Sequence, residues 1–104
     1  MPNRMELRQY MVEFKLPETL TEEFINLIPE QRAKINALMD AGVIMCYTLN
    51  LDRSKLWTVI VAETETTVMD ILAQFPLIRF MAPEISELTF HHQSSLVMPS
   101  ISLN

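Results

Sequence analysis

The chain has one glycine and one cysteine in 104 residues, fewer basic than acidic side chains, and no long apolar run. Each shortage excludes something. A single glycine, Gly42, cannot build the glycine-rich loop that cradles a phosphate or a dinucleotide. A single cysteine, Cys46, cannot close an internal disulfide. Between Met45 and Tyr47 it reads as a buried free thiol suited to a reducing, cytoplasmic setting. Eight Lys+Arg against thirteen Asp+Glu give a formal net charge of -5. With no basic run, the chain offers nucleic-acid phosphates no neutralising surface. No stretch approaches the roughly 18 apolar residues of a membrane span, and MPNRMELRQY has no apolar segment behind its charges, so neither a membrane nor a secretory address is expected.

What is present is a core. Hydrophobic residues make up 49% of the chain, enough for one globular domain. Residues 8–95 are expected to form it, preceded by a flexible extension over 1–7, with Met5 as an alternative start, and followed by a tail over 96–104.

Arg8 to Leu16 alternates Tyr10, Val12, Phe14 and Leu16 with Gln9, Met11, Glu13 and Lys15, the period of a strand. Thr19 and Glu22 have the spacing of a capping box, and Phe24, Ile25, Ile28, Ile35, Leu38 and Met39 then follow a helical stripe. Pro29 predicts a kink or a fresh start, with the regular helix over residues 30–41. Gly42 marks its end. Residues 43–50 and 55–63 are rich in β-branched and aromatic residues and read as a hairpin, Val59 to Val61 being apolar on both faces. The hydroxyls of Thr64 to Thr67 start a second helix whose Val68, Ile71, Leu72 and Phe75 form a stripe ended by Pro76. LIRFMAP leads to a last strand over residues 84–92.

Strand, helix, strand, strand, helix, strand is the order of the ferredoxin-like split βαβ: an α+β fold, with both helices on one face of a four-stranded antiparallel sheet. A strand apolar on both sides leaves the second face uncovered. A homodimer packed sheet against sheet, a dimeric α+β barrel, is the expected remedy.

FKLPETLTEE at the first helix, DAGV at its end and LAQFPLIRFMAPEISEL followed by a histidine and SS resemble the muconolactone delta-isomerase family, over roughly Gln9 to Ser95. The resemblance implies dimeric barrels that can assemble into larger rings and a double-bond shift in a small anionic lactone, with no cofactor and no metal. The hairpin LDRSKLW departs from the polar, glycine- and tyrosine-bearing hairpin of the isomerase, and with it the pocket lining.

Such an isomerisation needs a base, a donor for the carbonyl and a cation for the carboxylate. First and last strands are neighbours in this topology, so Gln9, Met11 and Glu13 are expected beside Glu87, Thr89 and His91. Val12, Phe14, Leu88 and Phe90 would then meet the helices. His91 and Glu13 are the catalytic candidates, His91 matching the family's terminal histidine. Tyr47 as carbonyl donor, Arg79 as carboxylate partner, Trp57 as pocket wall and Glu87 complete the substrate-binding set. Each has a structural alternative: exposed strand end for the histidines, solvated strand face for Glu13 and Glu87, core for Tyr47, ion pair for Arg79, interface packing for Trp57. Adjacent His91 and His92 point to opposite faces of a strand and cannot easily share a metal.

Three functions compete: a cofactor-free isomerase acting on a small metabolite, a non-catalytic binding or assembly module, and a cofactor-free monooxygenase with Trp57 and Tyr47 around an aromatic substrate. The tail SSLVMPSISLN is too apolar for a solubilising end and is expected to pack on a neighbouring subunit through Leu96, Val97 and Ile101. Truncation after Ser95 should therefore lower oligomeric mass or melting temperature, as read by light scattering and thermal unfolding.

Overall fold

The alternation in Arg8 to Lys15 forms β1 (Arg8–Lys15), whose Tyr10, Val12 and Phe14 are all fully buried. A computed structural model describes residues 6–94 of the chain. After β1 come α1 (Glu22–Asp40), β2 (Ile44–Leu49), β3 (Lys55–Ala62), α2 (Glu65–Leu72), a single 3-10 turn over Ile78–Phe80, and β4 (Ala82–Glu87). The sheet order is β2-β3-β1-β4 with every neighbouring pair antiparallel. This is the ferredoxin-like α+β arrangement that the element order predicts. The expected N-terminal extension lies outside the described residues over 1–5, and so does the tail over 96–104.

The register decides what the helices cover. Tyr10 stands opposite Ile60, Val12 opposite Thr58 and Phe14 opposite Leu56, so these six share one face. With Phe24 and Ile35 of α1 and Val68 and Leu72 of α2, the five apolar ones form a continuous core closed by Phe75, Leu77 and Met81. Phe14 packs on Phe75 with ring centroids 5.9 Å apart. Burying each such side chain stabilises the fold by about 1.5–3 kcal/mol. Thr58, the polar member of this face on β3, donates its hydroxyl to the Cys46 carbonyl at 2.7 Å and is satisfied.

Local chemistry sets the helix ends. Thr21 caps α1, its hydroxyl accepting from the Phe24 N–H at 3.1 Å. The cap therefore lies two residues beyond the expected Thr19, and Glu22 and Glu23 fall in the first turn, where the helix dipole favours them. Nor does Pro29 interrupt α1, which runs through it from Glu22 to Asp40. Pro29 and Ile25 are both exposed, so the carbonyl that loses its partner is on the solvent side, where water replaces the bond. At the other end the Val43 N–H bonds the Leu38 carbonyl and the Gly42 N–H the Met39 carbonyl. This is a Schellman closure with Gly42 at φ 77. Thr64 caps α2 in the same way as Thr21, accepting from the Thr67 N–H at 3.1 Å.

The last strand differs from its expected range, ending at Glu87 instead of continuing to His92. The register is the reason: Glu87 faces Tyr10 and the Leu88 N–H reaches the Gln9 carbonyl, one residue from the start of β1 at Arg8, so from Phe90 onward the chain runs past β1 and has no ladder to join. Phe90, expected against the helices, is 73% exposed. Among the described residues, no helix is long and apolar enough to cross a membrane.

A Cβ added at Gly42 would meet nothing within 4 Å, so Gly42→Ala bears only the left-handed backbone strain, about 1 kcal/mol. Urea unfolding should register that loss, and Gly42→Asn should recover part of it.

Candidate functional site

On α1, Phe24, Ile28, Gln31 and Ile35 fall at offsets 0, 4, 7 and 11, so one polar side chain sits on the helix's apolar stripe. Gln31 is 3% exposed, and a buried amide destabilises the fold unless both its ends are bonded. They are: its Oε1 accepts from the Leu77 N–H and its Nε2 donates to the Tyr47 Oη, each at 3.1 Å. Tyr47 stands opposite Thr58 in the β2–β3 register and so faces the helices. Burial pushes the Tyr47 pKa above its ordinary value, and the hydrogen bond from Gln31 opposes this in part. The phenol keeps its proton throughout the neutral range.

These groups border a cavity of about 180 Å³ between α1 and the β2–β3 hairpin. Phe24, Ile28, Leu56, Leu77 and Met81 give it an apolar wall, and its polar lining consists of Gln31, Tyr47, Arg32 and Arg53. Arg53 owes its place to the hairpin loop. The Asn50 Oδ1 accepts from the N–H groups of Ser54 and Lys55, and the Asp52 carboxylate accepts from the Ser54 hydroxyl and N–H. This knot fixes a turn in which Arg53 adopts φ 63, left-handed for a residue with a Cβ. The Ser54 hydroxyl, then its N–H, holds the Asp52 carboxyl below its usual range. A second recess shares Leu16, Leu20 and Arg53 with the cavity and adds Glu18 and Asp52.

The opposite face of the sheet carries a different set. There Glu13 accepts from the Trp57 Nε1–H at 3.0 Å and lies 3.9 Å from the Lys55 Nζ. Val59, flanked by Met11 and Cys46 in the register, is fully buried although neither α1 nor α2 packs on this face. Past β4 the chain folds over the same face: the His91 N–H bonds the Gln9 Oε1 at 2.9 Å, the His91 Nε2 meets the Gln93 Oε1 at 3.0 Å, and the Gln93 Nε2 reaches the Met45 carbonyl. His91 is half-buried and His92 exposed.

The sheet thus divides the residues singled out in the sequence. Tyr47 borders the helix-side cavity, whereas Glu13, Trp57 and His91 lie across the sheet from it. His91 is tied to the side chain of Gln9, which lies four residues, about 13 Å of strand, from Glu13 on β1. Trp57 and Tyr47 face opposite ways, so they cannot clamp one aromatic substrate as the monooxygenase reading requires. Glu87, opposite Tyr10, is on the helix side rather than beside Glu13, and pairs with Arg8 at 3.8 Å. Arg79 pairs with Glu23 and lies 4.9 Å above the Phe80 ring. Missed entirely were Gln31, Arg32 and Arg53. Gln31 was within reach, since its place on the apolar stripe is visible in the helical period. The arginines were not, because the curl of the hairpin loop and the facing of α1 bring them to the cavity. Among the described residues, no three His, Cys, Asp or Glu side chains gather into a metal-binding group.

Fold and cavity together define a ferredoxin-like α+β domain with an apolar recess under its first helix, bordered by one phenol and two guanidinium groups. The model of the family described as muconolactone delta-isomerase matches residues 8–94. The chain is a member of that family, by a match that covers most of its length. A search of curated proteins returns no significant match.

Because burial raises the Tyr47 pKa, the stability it contributes is fully present below the unfolded value of about 10 and is lost as pH rises through the higher folded value. Urea unfolding followed from neutral to strongly alkaline pH should show wild type losing more stability than Tyr47→Phe.

Proposed function

We propose that the protein is a cofactor-free isomerase that shifts a double bond in a small anionic unsaturated lactone, and that the cavity beneath α1 binds the substrate. One observation carries the reading: an apolar recess with Tyr47 as its hydrogen-bond donor and Arg32 and Arg53 in its lining, in a chain of the muconolactone delta-isomerase family. The apolar wall suits the carbon ring, the guanidinium groups suit the carboxylate, and the phenol suits the lactone carbonyl.

The chemistry is a proton transfer. A base removes a proton from a carbon conjugated with the carbonyl, and the C–H electron pair moves into a dienolate whose charge falls on oxygen. Tyr47 donates to that oxygen and stabilises it most when the charge is greatest. A proton then returns at the far end of the conjugated system, leaving the double bond shifted, with no net oxidation. For the base, the cavity lining contains no carboxylate or imidazole among the described residues. Glu18, in the adjoining recess, makes no hydrogen bond or ion pair among the described residues. Asp52 in the same recess is a weaker base, since its bonds from Ser54 hold its pKa down. Glu18 therefore takes the role here, ahead of Glu13 and His91, which lie across the sheet.

A homodimer belongs to this proposal. Met11, Val59 and Val61 lie on the sheet face opposite α1 and α2, and a second copy would bury them sheet against sheet. The free thiol of Cys46 suits a reducing, cytoplasmic setting. The second reading, a binding module without catalysis, is favoured by a cavity lining that, among the described residues, is apolar apart from an amide, a phenol and two arginines.

Turnover of muconolactone followed by NMR separates these readings. Tyr47→Phe should lower kcat by about two to three orders of magnitude, as loss of one oxyanion donor does. Glu18→Gln should lower it by about two orders or more, whereas Glu13→Gln and His91→Asn should turn over like wild type. The reverse pattern would move the site to the open sheet face. Binding without turnover in wild type would leave the module.

A further inference from the structure

Gln31 does more than fill the stripe of α1. The backbone N–H of Leu77 can only donate, so the oxygen of the Gln31 amide has to face it, and the amide nitrogen is thereby turned toward Tyr47. The Tyr47 oxygen is consequently the acceptor in that bond. Its own hydrogen has no acceptor among the described residues, and the side chain borders the cavity.

We infer that Gln31 is a positioning residue that commits Tyr47 to donating into the cavity, so that the site selects ligands presenting a carbonyl or carboxylate oxygen there over ligands of the same shape without one. The inference rests on the cavity being the substrate site and names what that site demands of its ligand. A relay from the Leu77 N–H through Gln31 to Tyr47 polarises the phenol, as a chain of bonds running in one direction does. The direction is fixed by a group that cannot reverse, the backbone of the LIRF connection, while Gln31 alone can choose its orientation and Tyr47 follows it.

The test uses two probes: an α,β-unsaturated γ-lactone carboxylate, and the dihydrofuran carboxylate in which a methylene replaces the ring carbonyl. Wild type is expected to bind the lactone about tenfold or more tightly than its deoxy analogue, the worth of one directed hydrogen bond. Tyr47→Phe should bind both equally. Gln31→Glu should also lose the preference, since its carboxylate accepts the Tyr47 hydrogen while still accepting from Leu77, which guards the fold. A second readout needs no ligand. Tyr10 and Tyr47 are the two tyrosines of the chain, so the phenol titration is assignable with Tyr47→Phe. In Gln31→Met, which removes a donated bond, the Tyr47 pKa should rise; a fall would mean that Tyr47 donates to Gln31 and would overturn the inference. Equal binding of the two probes by wild type would overturn it as well. Should wild type bind neither probe, the proposed substrate site fails, and the direction of the Gln31→Met titration still decides the relay.

Discussion

A buried amide with both ends bonded organises this molecule. Gln31 projects from α1 into the core and joins three segments remote in sequence: its own helix, strand β2 through Tyr47, and the connection before β4 through Leu77. An unpaired amide in that position costs on the order of 1–3 kcal/mol, so any arrangement that separates the three segments is penalised. The cavity is bordered by these same segments, and its phenol, Tyr47, is held by the bond that joins them. Structure and chemistry at this place are therefore the same interaction.

The second constraint is the pleat. Adjacent residues of a strand face opposite ways, and Trp57 and Thr58 illustrate the consequence: one donates to Glu13 on the open face, the other lies in the core opposite Tyr47. Every chemically interesting side chain on the sheet is assigned to one of two compartments by this alternation. The helix side is closed within one chain and contains the phenol and the guanidinium groups. The open side contains a carboxylate held by an indole and a lysine, together with apolar residues such as Met11 and Val59. A single ligand cannot draw on both.

Much of the fold was legible because it depends on short-range rules. The alternation from Tyr10 to Phe14, the stripe Val68, Ile71 and Leu72 and the glycine at position 42 are each read within a few residues, and each holds in the structure. Yet α2 ends at Leu72, and Phe75 joins the core from beyond the helix, not as its last turn before Pro76. Where two local signals competed, the reading went astray. Thr19 and Thr21 both offer a cap, and only the geometry of the first turn selects Thr21. Pro29 is unfavourable in a helix in general but is tolerated where the lost bond meets water. Glu84 to His92 alternates like a strand throughout, yet its pairing ends at Glu87, opposite Tyr10 and close to where β1 begins.

The sequence by itself determined the element order, the ferredoxin-like class and the two faces of β1, because periodicity and turn chemistry act between residues close along the chain. It also offered LAQFPLIRFMAPEISEL as part of the family resemblance without revealing what the segment does: Leu77 and Met81 wall the cavity, and the Leu77 N–H orients Gln31. Tertiary structure alone decided which side chains share a compartment. Register placed Glu87 opposite Tyr10, the fold-back after β4 brought His91 to Gln9, and the packing of α1 set Gln31 against Tyr47. Such pairings depend on strand register and helix facing, which are fixed by the whole core at once and by no local pattern.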